Sequence, residues 1–215
     1  MNITPREKSV VSFLEEIRYR ICHGMTLYSI SLILRNIGIE FTPYILLQED
    51  TNFTQIPEIK GITSDYSFEL LGPEDMKILG TLKSGFSENE FLDLLNNGEK
   101  CFVLKHNGEI AAFLWINFMR CSYKSTNFNL KNNEAYLWFM YTIKSYRGKN
   151  LAPYLKYKSY EILKKMGRDV IYSVVEYLNS PAVNSKKKLN AKKMKLMLFI
   201  ELFKKNSWSF TIKSY

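Results

Sequence analysis

An α+β fold, with a mostly antiparallel sheet and one parallel strand junction, is the architecture this sequence predicts. Three observations lead there. From Tyr66 onward the apolar residues switch repeatedly between a period of two and a period of 3.6. Asn97-Gly98 is a turn from a helical run into a strand, and Asn107-Gly108 separates two strand-like runs as a type I′ hairpin signal. Finally, a strand at 135–143 feeds a helix at about 151–166 and then a strand at 169–176, a crossover that makes the two strands parallel and right-handed.

The elements follow in order. Thr4-Pro5-Arg6-Glu7 is a capping box with proline at the first helical position, and Val10, Phe13, Leu14, Ile17 and Ile21 continue it at helical spacing up to Gly24. A second helix, about 26–36, carries Leu27, Ile30, Ile33 and Leu34, with Ile37 following, and Gly38 closes it. Residues 42–65 show no period and contain Pro43, Pro57 and Gly61, so they read as a connection with one short strand at 44–47. Then come a strand at 66–71, a helix at 73–82, and a capping box at Ser87 and Glu90 opening a helix to 95. Strands at 100–105 and 109–119 and a polar loop at 122–133 follow. After the 169–176 strand, Asn179-Ser180-Pro181 opens a helix with Ser180 as cap, and 195–203 with 207–214 form a closing hairpin. The division expected is an N-terminal helical extension, 1–60, and one domain, 66–215.

Composition narrows the function. The chain has 215 residues, 46% hydrophobic and 24% charged, enough to bury a core without staples. Cys22, Cys101 and Cys121 are odd in number and scattered, which excludes a disulfide framework and a zinc site and fits reduced thiols. The start has no signal-type apolar stretch, and the most apolar run, 25–34, is short of the roughly 20 residues a membrane span needs. A cytoplasmic protein is expected. The net charge is +9, yet from Met140 onward 17 Lys/Arg face 4 Asp/Glu, a net +13 that leaves −4 for the rest. Such a basic half suits a polyanion: a nucleotide-bearing cofactor, nucleic acid or an anionic membrane.

The stretch from Met140 to Ala152 selects among these. An apolar strand ends, a short basic loop follows and a helix begins at once. Free amides and the dipole at a helix start favour phosphate. Arg147 and Lys149 add charge, while Gly148 and the small Ala152 allow close approach to the backbone. Taken alone, this loop is equally readable as a strand-to-helix connection with surface lysines.

Its spacing resembles the acyl-coenzyme A loop of the GNAT superfamily of N-acyltransferases: Arg147 and Ala152 match, and Asn150 stands where the family usually has its central glycine. Asn tolerates the left-handed backbone better than most residues. One strand and one helix later, Asn179, Ala182, Lys188 and Leu189 match the family's second motif, with Asn190 and Ala191 in place of Gly-Phe. The resemblance covers about 66–215. It implies a mixed sheet whose parallel strands splay apart, flanked by helices, with acetyl-CoA or another acyl-CoA as co-substrate and no metal. The pantetheine arm would bond the backbone of Met140 and Thr142, and a backbone N–H near Met140 would polarise the acyl carbonyl. The pyrophosphate would sit on Arg147, Gly148, Lys149, Asn150, Leu151 and Ala152, with Asn179 also on the cofactor side.

An amine acceptor must lose a proton, so a base is needed. Glu176, at the end of its strand, is the first candidate and Glu134 the second; each also reads as a solvated strand-end carboxylate. The position aligned with the family's tyrosine acid is Lys186, which leaves Lys186, Tyr177 or water for that role. His23 and His106 read as isolated. The lysines at 186–188, 192, 193 and 195 read as a solvated face, or as a surface for the adenosine 3′-phosphate, an anionic acceptor or a membrane. The run lacks interleaved aromatics, which disfavours nucleic acid. An N-acyltransferase for a small-molecule or sugar-like amine is the first reading. A non-catalytic acyl-CoA-binding module of the same fold is the second. Peripheral membrane contact and a homodimer stay open for the N-terminal helices.

Overall fold

The computed structural model describes residue 18 and residues 25–52, 55–61, 65–82 and 85–215. The capping box at Thr4, the stripe from Val10 to Ile21, Cys22, His23 and Gly24 lie outside the described residues. In chain order the elements are α1 (Thr26–Asn36), β1 (Ile39–Gln48), β2 (Tyr66–Leu70), α2 (Met76–Thr81), α3 (Glu88–Asn96), β3 (Lys100–His106), β4 (Glu109–Asn117), β5 (Arg120–Tyr123), β6 (Thr126–Asn129), β7 (Glu134–Thr142), α4 (Leu151–Lys165), β8 (Val170–Glu176), α5 (Ser180–Lys188), β9 (Lys192–Leu202) and β10 (Asn206–Ser214). They form two compact units. One holds the residues up to Leu46 with Val175–Lys188 and Lys193–Tyr215; the other holds Leu47–Val174 and Leu189–Lys192.

In the second unit the strands run β2-β3-β4-β7-β8, all neighbours antiparallel except the parallel pair β7 and β8. Alternation along β4 explains the layers. Ala112, Leu114 and Ile116 pack on one face with Leu151, Leu155 and Leu163 of α4, while Phe113 and Trp115 pack on the other with Met76, Leu79 and Phe91 of α2 and α3. A strand buried on both faces reads as a continuous apolar run, as Ile110 to Ile116 does. Local chemistry sets the turns. Asn107 and Gly108 both have positive φ, 50° and 81°, which a type I′ turn requires. Ser87 accepts from the Glu90 amide while Glu90 accepts from the Ser87 amide, completing the capping box. The loop expected at 122–133 is instead largely a small hairpin: β5 and β6 pair around Lys124, whose φ of 52° supplies the turn that no glycine announced.

In the first unit the strand order is β10-β9-β1. Residues 42–48, expected as a connection with a short strand at 44–47, belong to the ten-residue β1. Its buried face hid the pattern, because Glu40 and Thr42 are buried there as well as Tyr44. Arg35 of α1 makes that burial tolerable: its Nη2 lies 3.2 Å from Glu40 Oε1 and donates to Thr42 Oγ1 at 3.0 Å. Pro43 does not break the strand, since its carbonyl accepts from the Tyr177 amide and it needs no donor there. On α1 the buried residues are polar and several apolar ones are exposed. Ser29 and Ser31 are buried, bonded to the carbonyls of Met25 and Tyr28, while Leu27, Ile30, Ile33 and Ile37 are exposed. Asn179, not Ser180, caps α5: its Oδ1 accepts from the Ala182 amide at 3.3 Å, one position past Pro181, which has no N–H to offer.

Candidate active site

The parallel pair β7–β8 is short. It runs from Glu134 opposite Val170 to Leu137 opposite Ser173 and stops there, whereas β7 continues to Thr142. The cause lies in β7 itself. Against β4, Trp115 faces Phe139 and Ile116 faces Leu137, so Trp138 is an extra residue, a β-bulge that bends the strand where β8 leaves it. The indole N–H of Trp138 donates to Glu99 Oε2 at 2.6 Å, and Asn117 Nδ2 donates to Glu99 Oε1 at 2.7 Å. Burial pushes the Glu99 carboxyl above its ordinary value, with these two donors opposing the shift.

The bulge leaves Trp138 to Thr142 with no strand partner on the β8 side among the described residues. Which groups face that edge follows from register. The Ile143 amide donates to Ala111 O, so Ile143, Tyr141 and Phe139 exchange bonds with β4. Antiparallel pairs alternate between bonded and unbonded. Met140, opposite Leu114, and Thr142, opposite Ala112, therefore point their N–H and C=O groups to the open edge. There the Thr142 carbonyl accepts from Arg147 Nε at 3.3 Å.

Beyond Thr142 the chain makes a 3-10 turn, Lys144–Tyr146, and then changes hand twice, at Gly148 (φ 81°) and at Asn150 (φ 64°, ψ 23°). A Cβ on Gly148 would meet nothing within 4 Å, so glycine is there for its φ rather than for space. Asn150 occupies the left-handed region expected of it and is the N-cap residue of α4 without capping it. Instead its Nδ2 donates to Glu58 O at 2.7 Å, and the Lys60 amide donates to Lys149 O at 2.9 Å. In the first turn of α4, Leu151 and Ala152 have amides with no intrahelical acceptor, Pro153 has none, and the Tyr154 amide returns to Asn150 O. The Arg147 guanidinium lies 5.8 Å from the Tyr141 ring centroid and Lys149 Nζ 5.1 Å from that of Tyr146. The result is two outward amides, two cations and an open strand edge within one turn of chain, which suits a ligand with a polar arm and a phosphate group.

His106 is not isolated: its ring packs on Tyr66 at 4.6 Å and its Nδ1 is 3.4 Å from Tyr146 Oη. Glu134 stands at the start of β7, eight residues and roughly 25 Å from Thr142 at about 3.3 Å per residue. Its Oε2 accepts from the Lys131 amide and its Oε1 from Tyr172 Oη. The structure does not bring it to the loop. Glu176 and Asn179 belong to the first unit, with Glu176 Oε1 3.4 Å from Arg35 Nη2. Sequence reasoning missed Glu58, Lys60, Glu99 and Trp138. The segment around Glu58 has no period to read, and a bulge leaves no signature in an apolar strand. Cys101 and Cys121 are buried, and burial pushes the Cys121 thiol up to about 12. Among the described residues no cluster of His, Cys, Asp and Glu could hold a metal, and no helix is long and apolar enough to cross a membrane.

Comparison with known proteins gives the same architecture. A sequence profile described as the acetyltransferase (GNAT) family matches residues 62–189. A search of curated protein sequences finds no match. Among solved structures, a tandem GNAT protein from the clavulanic acid biosynthesis pathway superposes with a TM-score of 0.54 at 11% identity, covering 86% of this chain and 58% of that one. An acetyltransferase of the GNAT family from Colwellia psychrerythraea gives 0.57 at 16% identity, covering 77% and 58%. This chain thus spans a little under three fifths of either structure's length.

Proposed function

This chain belongs to the GNAT acetyltransferase family, and from that premise we propose that it moves an acetyl or other short acyl group from acyl-CoA to the amine of a small-molecule or sugar-like acceptor. The observation that carries this reading is the open edge of β7 running directly into a basic loop with two left-handed residues and a helix start. Acetyl-CoA supplies an activated thioester. The outward backbone groups of Met140 and Thr142 suit its pantetheine arm. The amides of Gly148, Leu151 and Ala152, with Arg147, Lys149 and the turn at Asn150, suit its pyrophosphate. An N–H near Met140 would stabilise the oxygen that gains charge as the amine attacks. The N–C bond forms, the C–S bond breaks, the amine's proton goes to a base and the thiolate takes one up.

Glu176, at the end of β8 with its Oε1 3.4 Å from Arg35 Nη2, is the base proposed first. Glu134 is second, its oxygens already engaged within its own unit. The acid is Lys186, Tyr177 or water. A cytoplasmic location is part of this reading. The second reading, a binding module without turnover, draws support from Asn179, whose carbonyl oxygen caps its own helix.

Calorimetric titration of acetyl-CoA into the protein, with Arg147→Glu alongside, tests the first reading. Micromolar binding that the variant loses supports it. Thiol release with a panel of amines then follows, with Glu176→Gln expected to lower kcat by about a hundredfold, the lower end of general-base effects, and Glu134→Gln to leave it near wild type. A folded sample that binds neither acetyl-CoA nor longer acyl donors sinks the transferase reading.

A further inference from the structure

The residues just before the family-matched stretch line a cleft together with Tyr66 and Tyr154 from within it. Residues 56–61 precede the match, which begins at 62. Two hydrogen bonds, Asn150 Nδ2 to Glu58 O at 2.7 Å and the Lys60 amide to Lys149 O at 2.9 Å, hold this segment to the loop before α4. Between the segment, the first turn of α4 and the start of β2 lies a cleft of about 440 Å³, lined by Ile56, Pro57, Glu58, Ile59, Tyr66 and Tyr154. Of its two isoleucines, Ile59 is buried and Ile56 is exposed. The lining combines two tyrosines and two isoleucines with a carboxylate, and more of its surface is polar than apolar, the character of a site for a flat ring that also carries hydrogen-bonding groups.

We propose that this cleft takes the adenosine end of the co-substrate, so that residues 56–61 complete the acyl-CoA site from outside the family-matched stretch. The inference rests on the reading of the loop as a pyrophosphate site. The physical reasons are position and chemistry. A ligand whose phosphates lie on the amides of Leu151 and Ala152 carries its thiol arm along the open edge of β7, and its nucleoside must leave on another side. Tyr154, one turn into the same helix, and the segment bonded to Lys149 and Asn150 offer a surface immediately beside those phosphates. Purine faces pack on tyrosine rings without needing a specific hydrogen-bond code. The Tyr66 ring is held against His106, and the Lys158 ammonium lies 6.0 Å from the Tyr154 ring centroid. Glu58, with its carbonyl engaged by Asn150, keeps a carboxylate that can accept from a ribose hydroxyl or the purine amine.

The test compares coenzyme A with 4′-phosphopantetheine, which lacks the adenosine, by titration into the full chain carrying Tyr154→Ser or Ile56→Ser. Ile56 is exposed, so that variant folds even if the helix substitution does not. The expected result is that both variants weaken coenzyme A about tenfold and leave 4′-phosphopantetheine within twofold of wild type. Equal weakening of both ligands, or unchanged coenzyme A binding, overturns the cleft assignment while the loop reading stands. Variants that instead discriminate octanoyl-CoA from acetyl-CoA assign the cleft to an acyl chain and overturn it too. A wild-type chain that binds neither ligand overturns the loop reading, and the cleft with it.

Discussion

Replacing Asn150 separates two things this residue does. At φ 64° and ψ 23° it holds the left-handed turn before α4, and its side chain bonds Glu58 O at 2.7 Å. Asn150→Ala loses both. A Cβ-bearing residue without a local polar group in this region costs about 1–2 kcal/mol. Loss of one hydrogen bond costs about 1 kcal/mol more, for a total near 2–3 kcal/mol. Asn150→Gly removes the bond but not the fit to the turn, and adds about 0.4–1 kcal/mol of chain entropy in the unfolded state. Its total is near 1–2 kcal/mol. The order of stability is therefore Asn, Gly, Ala, with a gap of about 1 kcal/mol between the variants, read from urea midpoints. Acetyl-CoA affinity, by calorimetry, should follow the same order. An alanine variant as stable as the glycine variant would refute the claim that backbone hand is what residue 150 supplies. Equal stability of glycine variant and wild type would show that the stitch to Glu58 contributes nothing.

Two further outcomes follow from buried charge. Lys156 and Glu49, with side chains 3% and 0% exposed, form an ion pair at 3.3 Å inside the second unit, and Ser173 Oγ donates to the same carboxylate oxygen. Lys156→Met leaves that carboxylate buried without its cation and should lower stability by about 3–5 kcal/mol; adding Glu49→Gln should recover more than half, and a double variant no better than the single would count against the pair. Glu99 titrates above its ordinary value of 4.5 because of burial. A carboxyl raised in the folded state contributes stability that is complete below the unfolded value and is lost as pH rises through the folded one. Wild type should therefore lose stability relative to Glu99→Gln from about pH 4.5 upward, measured as urea midpoints at pH 4, 6 and 8, and a constant difference would refute the burial argument.

How much of this was legible can be argued from particular residues. The helix 26–36, the hairpin at Asn107-Gly108, the capping box at Ser87 and the crossover from β7 through α4 to β8 were readable because each rests on local signals. The strand β1 was not, because its buried face carries Glu40 and Thr42, and only Arg35, brought in by the fold, makes that burial acceptable. Which face of α1 meets the protein was not readable for a related reason: period places apolar residues on one face but does not say what that face meets. The site divides the same way. Arg147, Gly148 and Asn150 could be named from spacing, and the hand of the backbone at 148 and 150 from residue type. Position along a strand could also be counted, yet which end of β7 mattered for Glu134 depended on where the pair with β8 stops.

The sequence by itself determined the order of elements, the turns and the basic loop at the head of a helix. Those depend on neighbours a few residues apart, and side-chain type is sufficient to fix them. Tertiary structure alone decided the bulge at Trp138, the open edge at Met140 and Thr142, and the stitching of Glu58 and Lys60 onto the loop. Each requires groups far apart in the chain to meet: Glu99 with Trp138 across 39 residues, and Glu58 with Asn150 across 92. No local pattern encodes such a meeting, because what stabilises it is a partner supplied by the fold.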